Sequence, residues 1–397
     1  MFKVKKLNKI DPEGLSTFPI DQYEISTEAS SPDAIIVRSY DMHTMELPGS
    51  LLVIGRAGAG VNNIPVEKCS EKGIVVLNTP GANANAVKEL TIAGLFLASR
   101  DIAAGINFAQ SLRGKGADVP VLIEENKKKF GGQEIAGKTL GIIGLGKIGV
   151  MVANAAIDLG MDVIGYDPFI SVQSAWGLSR DVQRAEGLDS LISKSDYISI
   201  HTPLSDDTKG MINMEKFNRM KKGVRILNFS RGGIVNNEDL RKAISLGIVY
   251  RYVTDFPDDE LLNTENVICI PHLGASTKEA ERNCAVMVAK QIRDFLEKGN
   301  IKNSVNYPDC RLEPSSSYRL LVMNKNIPNM VGQISAILAQ ENINIAEMLN
   351  KSRGDYAYNI IDISKPLSEE MQRKLYDIEG VIKVRMIDLN NIMEQKV

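Results

Sequence analysis

Residues 139–167 read TLGIIGLGKIGVMVANAAIDLGMDVIGYD. An apolar run ends in GLGKIG, a stretch with helical apolar spacing follows, and a second apolar run closes on Asp167. Strand, glycine turn, helix and strand make a βαβ unit, whose crossover sets the two strands parallel. Gly144 serves a tight turn, Gly146 lets backbone approach a pyrophosphate, and Gly149 brings the helix close to the strand. Lys147 and Ile148 open the helix, whose N-terminus offers N–H donors and positive dipole to phosphates. Asp167 stands 18 residues beyond Gly149 (167 − 149). A carboxylate there accepts hydrogen bonds from ribose hydroxyls and repels a 2′-phosphate. No Arg or Lys occurs at 168–173 to welcome one, so the expected cofactor is NAD.

The same alternation runs outward on both sides. Upstream, DAIIVRS (33–39), LLVIGRAG (51–58) and GIVVLNTPG (73–81) are apolar runs broken by turn residues, as parallel strands covered on both faces should look. NAVKELTIAGLFLASRDI (85–102) has helical spacing with Asn85 as N-cap, and KKKFGGQEIAGK (127–138) reads as a linker. Downstream come DYISIHTPL (196–204), VRILNFSRGG (224–233), YRYVTDF (250–256) and NVICIPH (266–272). ASTKEAERNCAVMVAKQIRDFLE (275–297) reads as one helix, opened by Ser/Thr with Glu279 in a capping-box pattern. Pro308, Pro314 and serines 315–317 mark a linker, after which the order βαββαβ predicts a ferredoxin-like module. The expected fold is α/β: two Rossmann-like doubly wound parallel-sheet domains, one of them discontinuous, plus the C-terminal module.

Composition narrows the function classes. The 397 residues carry a net charge of −2, with 44% hydrophobic and 24% charged residues, as in ordinary globular chains. That balance gives no reason to expect nucleic acid or an anionic membrane as a partner. MFKVKKLNKIDPEG lacks the apolar core of a signal peptide and no apolar run approaches a bilayer span, so a cytoplasmic chain is expected. Cys69, Cys269, Cys284 and Cys310 lack CxxC spacing and read as reduced thiols; with three histidines, no metal site is expected.

Ligands of doubly wound sheets lie beyond the carboxyl ends of the strands. Three ionisable residues fall there: Arg231 after ILNFS, Glu260 in the loop after YVTDF, and His272 after NVICIP. Each alone serves equally well as a cap or a surface charge. Together behind a dinucleotide unit they fit oxidation of a 2-hydroxy acid. Arg binds a carboxylate bidentately, His moves the hydroxyl proton near neutral pH, and Glu supports the imidazole.

GKTLGIIGLGKIG, HTPL, LNFSRGGIVNNEDL and IPHLGAST together resemble the D-isomer-specific 2-hydroxyacid dehydrogenase family. The resemblance implies a discontinuous substrate-binding domain (1–93 and 284–307) around an NAD-binding domain (94–283). Matched residue by residue, it implies Arg231, Glu260 and His272 as the catalytic set, with Asp259 the alternative to Glu260 because the segment to His272 is short. It implies cofactor contacts from Thr91, Thr202, Pro203, Ser230, Asp255 and Gly274. GRAGAGVNNI and the C-terminal module extend the likeness to members that oxidise 3-phosphoglycerate. They imply a substrate loop of Arg56, Ala57, Gly58, Ala59 and Gly60, with Arg38 and Ser39, holding carboxylate and phosphate. Residues 318–397 resemble an ACT regulatory domain, which implies L-serine as effector near Asn324, Asn326 and Asn344; a purely oligomerising module is the alternative. Asn324 and Asn329 depart from the His and Gly common in that loop. Unpaired edges of so small a sheet point to a homodimer or homotetramer. A dehydrogenase for another D-2-hydroxy acid and a non-catalytic NAD-sensing protein are the rival readings.

Overall fold

The computed structural model describes residues 1–390. Its strands are β1 (Phe2–Lys6), β2 (Tyr23–Ser26), β3 (Ala34–Val37), β4 (Val53–Arg56), β5 (Val75–Leu77), β6 (Thr139–Ile143), β7 (Asp162–Tyr166), β8 (Gln183–Arg184), β9 (Tyr197–Ile200), β10 (Val224–Asn228), β11 (Val249–Thr254), β12 (Val267–Cys269), β13 (Tyr318–Lys325), β14 (Ile345–Arg353), β15 (Tyr356–Ile363) and β16 (Val381–Asp388). They form three sheets, distributed over two compact units: residues 1–82 with 281–397, and residues 83–280.

The central unit holds a parallel sheet of order β12-β11-β10-β9-β6-β7-β8. Chain order reverses between β6 and β9, and a ligand crevice opens beyond the carboxyl ends at such a point. The strands are continuous apolar runs because both faces are covered. Ile142 and Val163 pack under the helix Lys147–Asp158, while Ile198, Ile226 and Tyr252 pack with Leu240 and Leu261 on the other side. The expected helix at 85–102 is Ala84–Ser99, followed by a second helix, Ile102–Ser111. Its N-cap position is Asn83; the Asn85 amide instead donates to Glu89 within the helix. Because Ala84–Ser99 packs whole against Lys147–Asp158 and β10, the chain divides at 82/83, ahead of the expected 93/94. Part of the expected linker is helical, Val119–Asn126 running into a 3₁₀ turn at Lys127–Phe130.

The first unit combines a parallel sheet of order β2-β1-β3-β4-β5 with an antiparallel sheet of order β14-β15-β13-β16. The second is the expected βαββαβ module, its helices being Met330–Gln340 and Glu369–Tyr376. Period-2 alternation sends Leu320, Val322, Ile361 and Ile363 under those helices. The opposite set, Leu321, Met323, Tyr358 and Ile360, enters one core with Val4, Val288, Ile292 and Phe295 of the remainder of the unit. The module therefore forms no separate compact unit; positions 391–397 of its expected span lie outside the described residues. The helix Lys278–Lys298 approaches the first sheet closely: a Cβ on Gly55 would lie 2.5 Å from Val288 Cγ2. Thr277 caps it, accepting from Ala280 N at 3.1 Å, one residue later than the capping-box pattern suggested.

Candidate active site

The glycine turn follows β6. Gly144 has φ +92°, and a Cβ there would fall 2.8 Å from the His201 carbonyl. A Cβ on Gly149 would fall 2.0 Å from Gly144 O, so both positions exclude any side chain. Gly146, at the N-cap of Lys147–Asp158, is different: a Cβ there would meet nothing within 4 Å. The open space lies where a phosphate would approach the helix N-terminus. Asp167 is held in place by accepting Leu145 N and Phe169 N, each at 2.8 Å, one on each carboxylate oxygen. Beside it opens a cavity of about 560 Å³ lined by Leu145, Tyr166, Asp167, Pro168, Ile170 and Arg184. Its size and mixed lining suit the adenosine half of a dinucleotide. Arg184, from β8, lies 17 residues beyond Asp167 (184 − 167), outside the stretch 168–173 that directly follows the strand.

The next strand ends supply the other half. Thr202 Oγ1, after β9, and Asp255 Oδ1, after β11, are buried without a hydrogen-bond partner among the described residues. Asp255 Oδ2 accepts Gly274 N at 3.3 Å. Burial raises the pKa of Asp255, opposed by the nearby charges of His272 and Arg231, so these three groups share one electrostatic neighbourhood. Orphaned buried acceptors are rare, and a carboxamide donor reaching this edge would satisfy Asp255. On these grounds the residues present fit NAD. Thr91 is buried with its hydroxyl bonded to Val87 O at 2.8 Å, inside its own helix. Pro203 gives its carbonyl to the Thr208 hydroxyl at 2.6 Å.

Arg231 and His272 are both exposed, on the loops after β10 and β12. Arg231 Nη1 donates to Ser230 O at 2.6 Å, and the His272 ring stands edge-on to Phe256 with centroids 4.8 Å apart. Glu260 is not brought to His272. Asp258 caps the short helix Asp259–Leu262 by accepting Leu261 N at 2.8 Å. That turn aims Glu260 at Arg241, 3.4 Å from its Nη2. Asp259, the alternative, begins the same turn and is exposed. The remaining histidines are otherwise engaged. His43 pairs with Asp41 at 2.6 Å, and burial lowers His201 to about 4, so it is neutral near pH 7.

In the first unit the expected substrate loop follows β4. Ala57 N donates to Val37 O and Thr79 N to Gly58 O, while Asn78 Nδ2 holds Ala59 O at 2.6 Å. Gly58 has φ +154°, and a Cβ there would fall 1.9 Å from Arg56 Nη1, so the guanidinium lies over the loop. Arg56 Nε donates to Arg38 O at 3.0 Å, and Arg38 Nη1 pairs with Glu281 at 2.8 Å. Ser39 N is held by Asn8 Oδ1 at 3.1 Å. Asn63, within GRAGAGVNNI but not singled out there, donates to Tyr40 O at 2.8 Å and leaves its Oδ1 buried without a partner among the described residues.

The three asparagines expected around an effector are separated. Asn324 is buried and its amide is spent, accepting from Asn359 and donating to Lys325 O, each at 2.7 Å. Asn326 bonds Gly354 O and Asp355 O before β15, whereas Asn344 exchanges bonds with Ser364 beyond its other end. Those ends of an extended strand lie roughly 30 Å apart. Asn329 adopts φ +66°, the left-handed conformation for which glycine is common, so that departure preserves the loop.

Residues 94–274 match the family model described as D-isomer specific 2-hydroxyacid dehydrogenase, NAD binding domain. Over 354 residues the chain is 35% identical to a D-3-phosphoglycerate dehydrogenase of Methanocaldococcus jannaschii, covering 86% of this chain and 64% of that one. It is 38% identical over 298 residues to the Homo sapiens D-3-phosphoglycerate dehydrogenase, covering 72% and 53%. The chain spans 46% to 64% of the length of the curated relatives it matches. Among solved structures it resembles NAD⁺-bound 3-phosphoglycerate dehydrogenase of Entamoeba histolytica, with TM-score 0.61 and 27% identity over 77% of this chain and 98% of that one. No helix among the described residues is long and apolar enough to cross a membrane.

Proposed function

We propose that the chain is a member of the D-isomer specific 2-hydroxyacid dehydrogenase family, whose NAD-binding-domain model matches residues 94–274, and that it oxidises 3-phospho-D-glycerate to 3-phosphohydroxypyruvate with NAD. One observation carries the reading: Arg231, Asp255 and His272 gather at the carboxyl ends of β10, β11 and β12, in the sheet that also presents the glycine turn. The glycine turn and Asp167 would hold NAD, which would supply the acceptor for the hydride of the hydroxyl-bearing carbon. His272 Nε2 or Nδ1 takes the hydroxyl proton, and it stands exposed at its strand end, where an acid/base must be to reach a substrate. Arg231 presents a planar fork to the substrate carboxylate. Thr202, Asp255 and Gly274 orient the nicotinamide, and Gly146 with the helix behind it receives the pyrophosphate. Arg56, with Arg38, contributes the phosphate contact, and the amides of Ala59 and Gly60 the carboxylate contact, those of Ala57 and Gly58 being bonded to Val37 O and Arg56 O. Glu260 supports the imidazole only after leaving Arg241.

The product is an intermediate of L-serine synthesis. Feedback by L-serine at the C-terminal module is the finer proposal, resting on Asn326 and Asn344. Their separation means that two copies of the chain would have to meet for one small molecule to touch both. The unpaired edge of β14 is where such a homodimer or homotetramer would form. The direct test is NADH absorbance with 3-phospho-D-glycerate, D-glycerate and D-lactate. Clear preference for the phosphorylated acid supports the proposal, equal rates on D-glycerate assign another 2-hydroxy acid, and no turnover on any acid points to a non-catalytic NAD-binding protein.

A further inference from the structure

We propose that Asn228 is a positioning residue for this oxidation, setting Arg231 and the loop before His272 in one frame; this rests on the dehydrogenase reading above. Asn228 ends β10 and is 1% exposed. Its Oδ1 accepts Ser230 N at 3.2 Å and Ser230 Oγ at 3.1 Å. Its Nδ2 donates to Arg231 O at 2.9 Å and to Tyr252 Oη at 3.2 Å. An amide has two donor hydrogens and two acceptor lone pairs, and all four are used. The main chain adds a second tie: Asn228 O accepts Thr254 Oγ1 at 2.9 Å, and that oxygen accepts Phe256 N at 3.2 Å. Phe256 is the ring on which His272 stands. One buried residue thus fixes the loop carrying Arg231 and, through Thr254, the loop carrying Asp255 and Phe256.

The simpler reading is a local Asx turn, in which Oδ1 bonds the amide two residues on. Aspartate would serve that turn equally well. It would fail on the other side, turning an acceptor oxygen toward Arg231 O where a donor is required. Asn228→Asp therefore separates the two readings. Neither Asn nor Asp at this position touches substrate, so any kinetic effect must pass through Arg231 or the loop it shares.

Three measurements test the proposal in the 397-residue chain: kcat/KM with 3-phospho-D-glycerate, NADH affinity, and the thermal midpoint. NADH affinity is readable by energy transfer from Trp176, the single tryptophan, just beyond Ala175 of the adenosine cavity. Asn228→Asp should lower kcat/KM about 100-fold, the usual cost of ångström-scale misplacement. NADH affinity should stay within about twofold and the fold should be retained. In an Arg231→Lys background the same substitution should cost less than about threefold, because the two act as a unit. Full additivity with Arg231→Lys, or parallel loss of NADH affinity and thermal midpoint, would overturn the proposal in favour of a structural turn. Should Asn228→Asp not fold, Thr254→Val cuts the link between the two loops without adding charge and carries the same cycle. A wild-type chain active only on D-glycerate or D-lactate would overturn the substrate alone, and the cycle is then read on that acid. Inactivity on every acid would remove both proposals.

Discussion

The strand ends of the central sheet and the junction around the C-terminal turn of Lys278–Lys298 use the same kinds of residue to opposite effect. At the junction, Arg319 is wholly buried and fully engaged: Asp362 at 2.6 and 2.9 Å, Lys298 O at 2.8 Å and Leu312 O at 2.9 Å. Asp362 also accepts Ser315 N and Oγ. Tyr358 Oη donates to Gly299 O at 2.7 Å, and Arg385 donates to Phe295 O and Leu296 O. The last carbonyls of a helix have no partner within it, and here side chains of the antiparallel sheet supply one. At the strand ends, by contrast, the Arg231 guanidinium bonds its neighbour's carbonyl, and Thr202 Oγ1 and Asp255 Oδ1 have no partner among the described residues. A satisfied ion pair holds a fold together; polar atoms left over mark where a ligand completes the set.

The sharpest way to break this contrast is to remove one group from each region. His272→Ala should lower kcat by about 10²–10⁴, the range for general acid–base catalysis, with NADH affinity nearly unchanged. Near wild-type kcat would remove His272 from the chemistry. Arg319→Ala should do the reverse. It strands Asp362 in a dry core, so a loss of about 3–5 kcal/mol in urea unfolding is expected, with kcat of the folded protein kept. A cost below about 1 kcal/mol would show the pair to be dispensable.

A smaller effect separates substrate recognition from both. Arg56→Ala should cost about 1.5–3 kcal/mol in kcat/KM on 3-phospho-D-glycerate, the worth of a hydrogen bond to a charged group, and little on D-glycerate. Equal losses on the two acids would place Arg56 in loop structure, consistent with its bond to Arg38 O.

What could be read in the sequence follows from how local the cause is. The glycine turn was legible because its causes include local ones: Gly144 turns the chain at φ +92°, and a Cβ on Gly149 would meet Gly144 O, five residues back. The C-terminal module was legible because YRLLVMN and DYAYNIIDIS are long runs with clear bounds. β1 went unread because FKVKK alternates with lysines, and β8 because it is two exposed residues. Asn228 looked like one more polar residue at a strand end. Its partners Tyr252 and Thr254 are 24 and 26 residues away, and only the pairing of β10 with β11 brings them together. Glu260 was placed by its loop after YVTDF and by the family likeness, and the Asp258 cap aims it at Arg241. The apolar second face of the antiparallel sheet was plain in YRLLVMNK, but no local pattern says that Val288 and Phe295 cover it.

Lys383 is the exception within the junction, and it gives the subtlest test. Its Nζ donates to Leu51 O at 2.9 Å, and its Cβ lies 2.8 Å from where a Cβ on Gly73 would be. Burial lowers its pKa from 10.5 to about 8, and the charge of Arg385 adds to the effect. Below pH 8 the lysine is protonated in both folded and unfolded chains, and the folded chain bears the full cost of a poorly hydrated cation. Between about pH 8 and 10.5 the unfolded chain binds more protons than the folded one, so stability rises with pH through this window. Lys383→Met keeps the stem packing and removes the titration. The variant should be more stable than wild type at pH 7, by a margin that shrinks steadily toward pH 10. Thermal midpoints of both chains at pH 7, 8, 9 and 10 measure it. A constant margin across the series would mean that the lysine titrates normally and that the junction hydrates it, unlike the dry Arg319–Asp362 pair beside it in the same sheet.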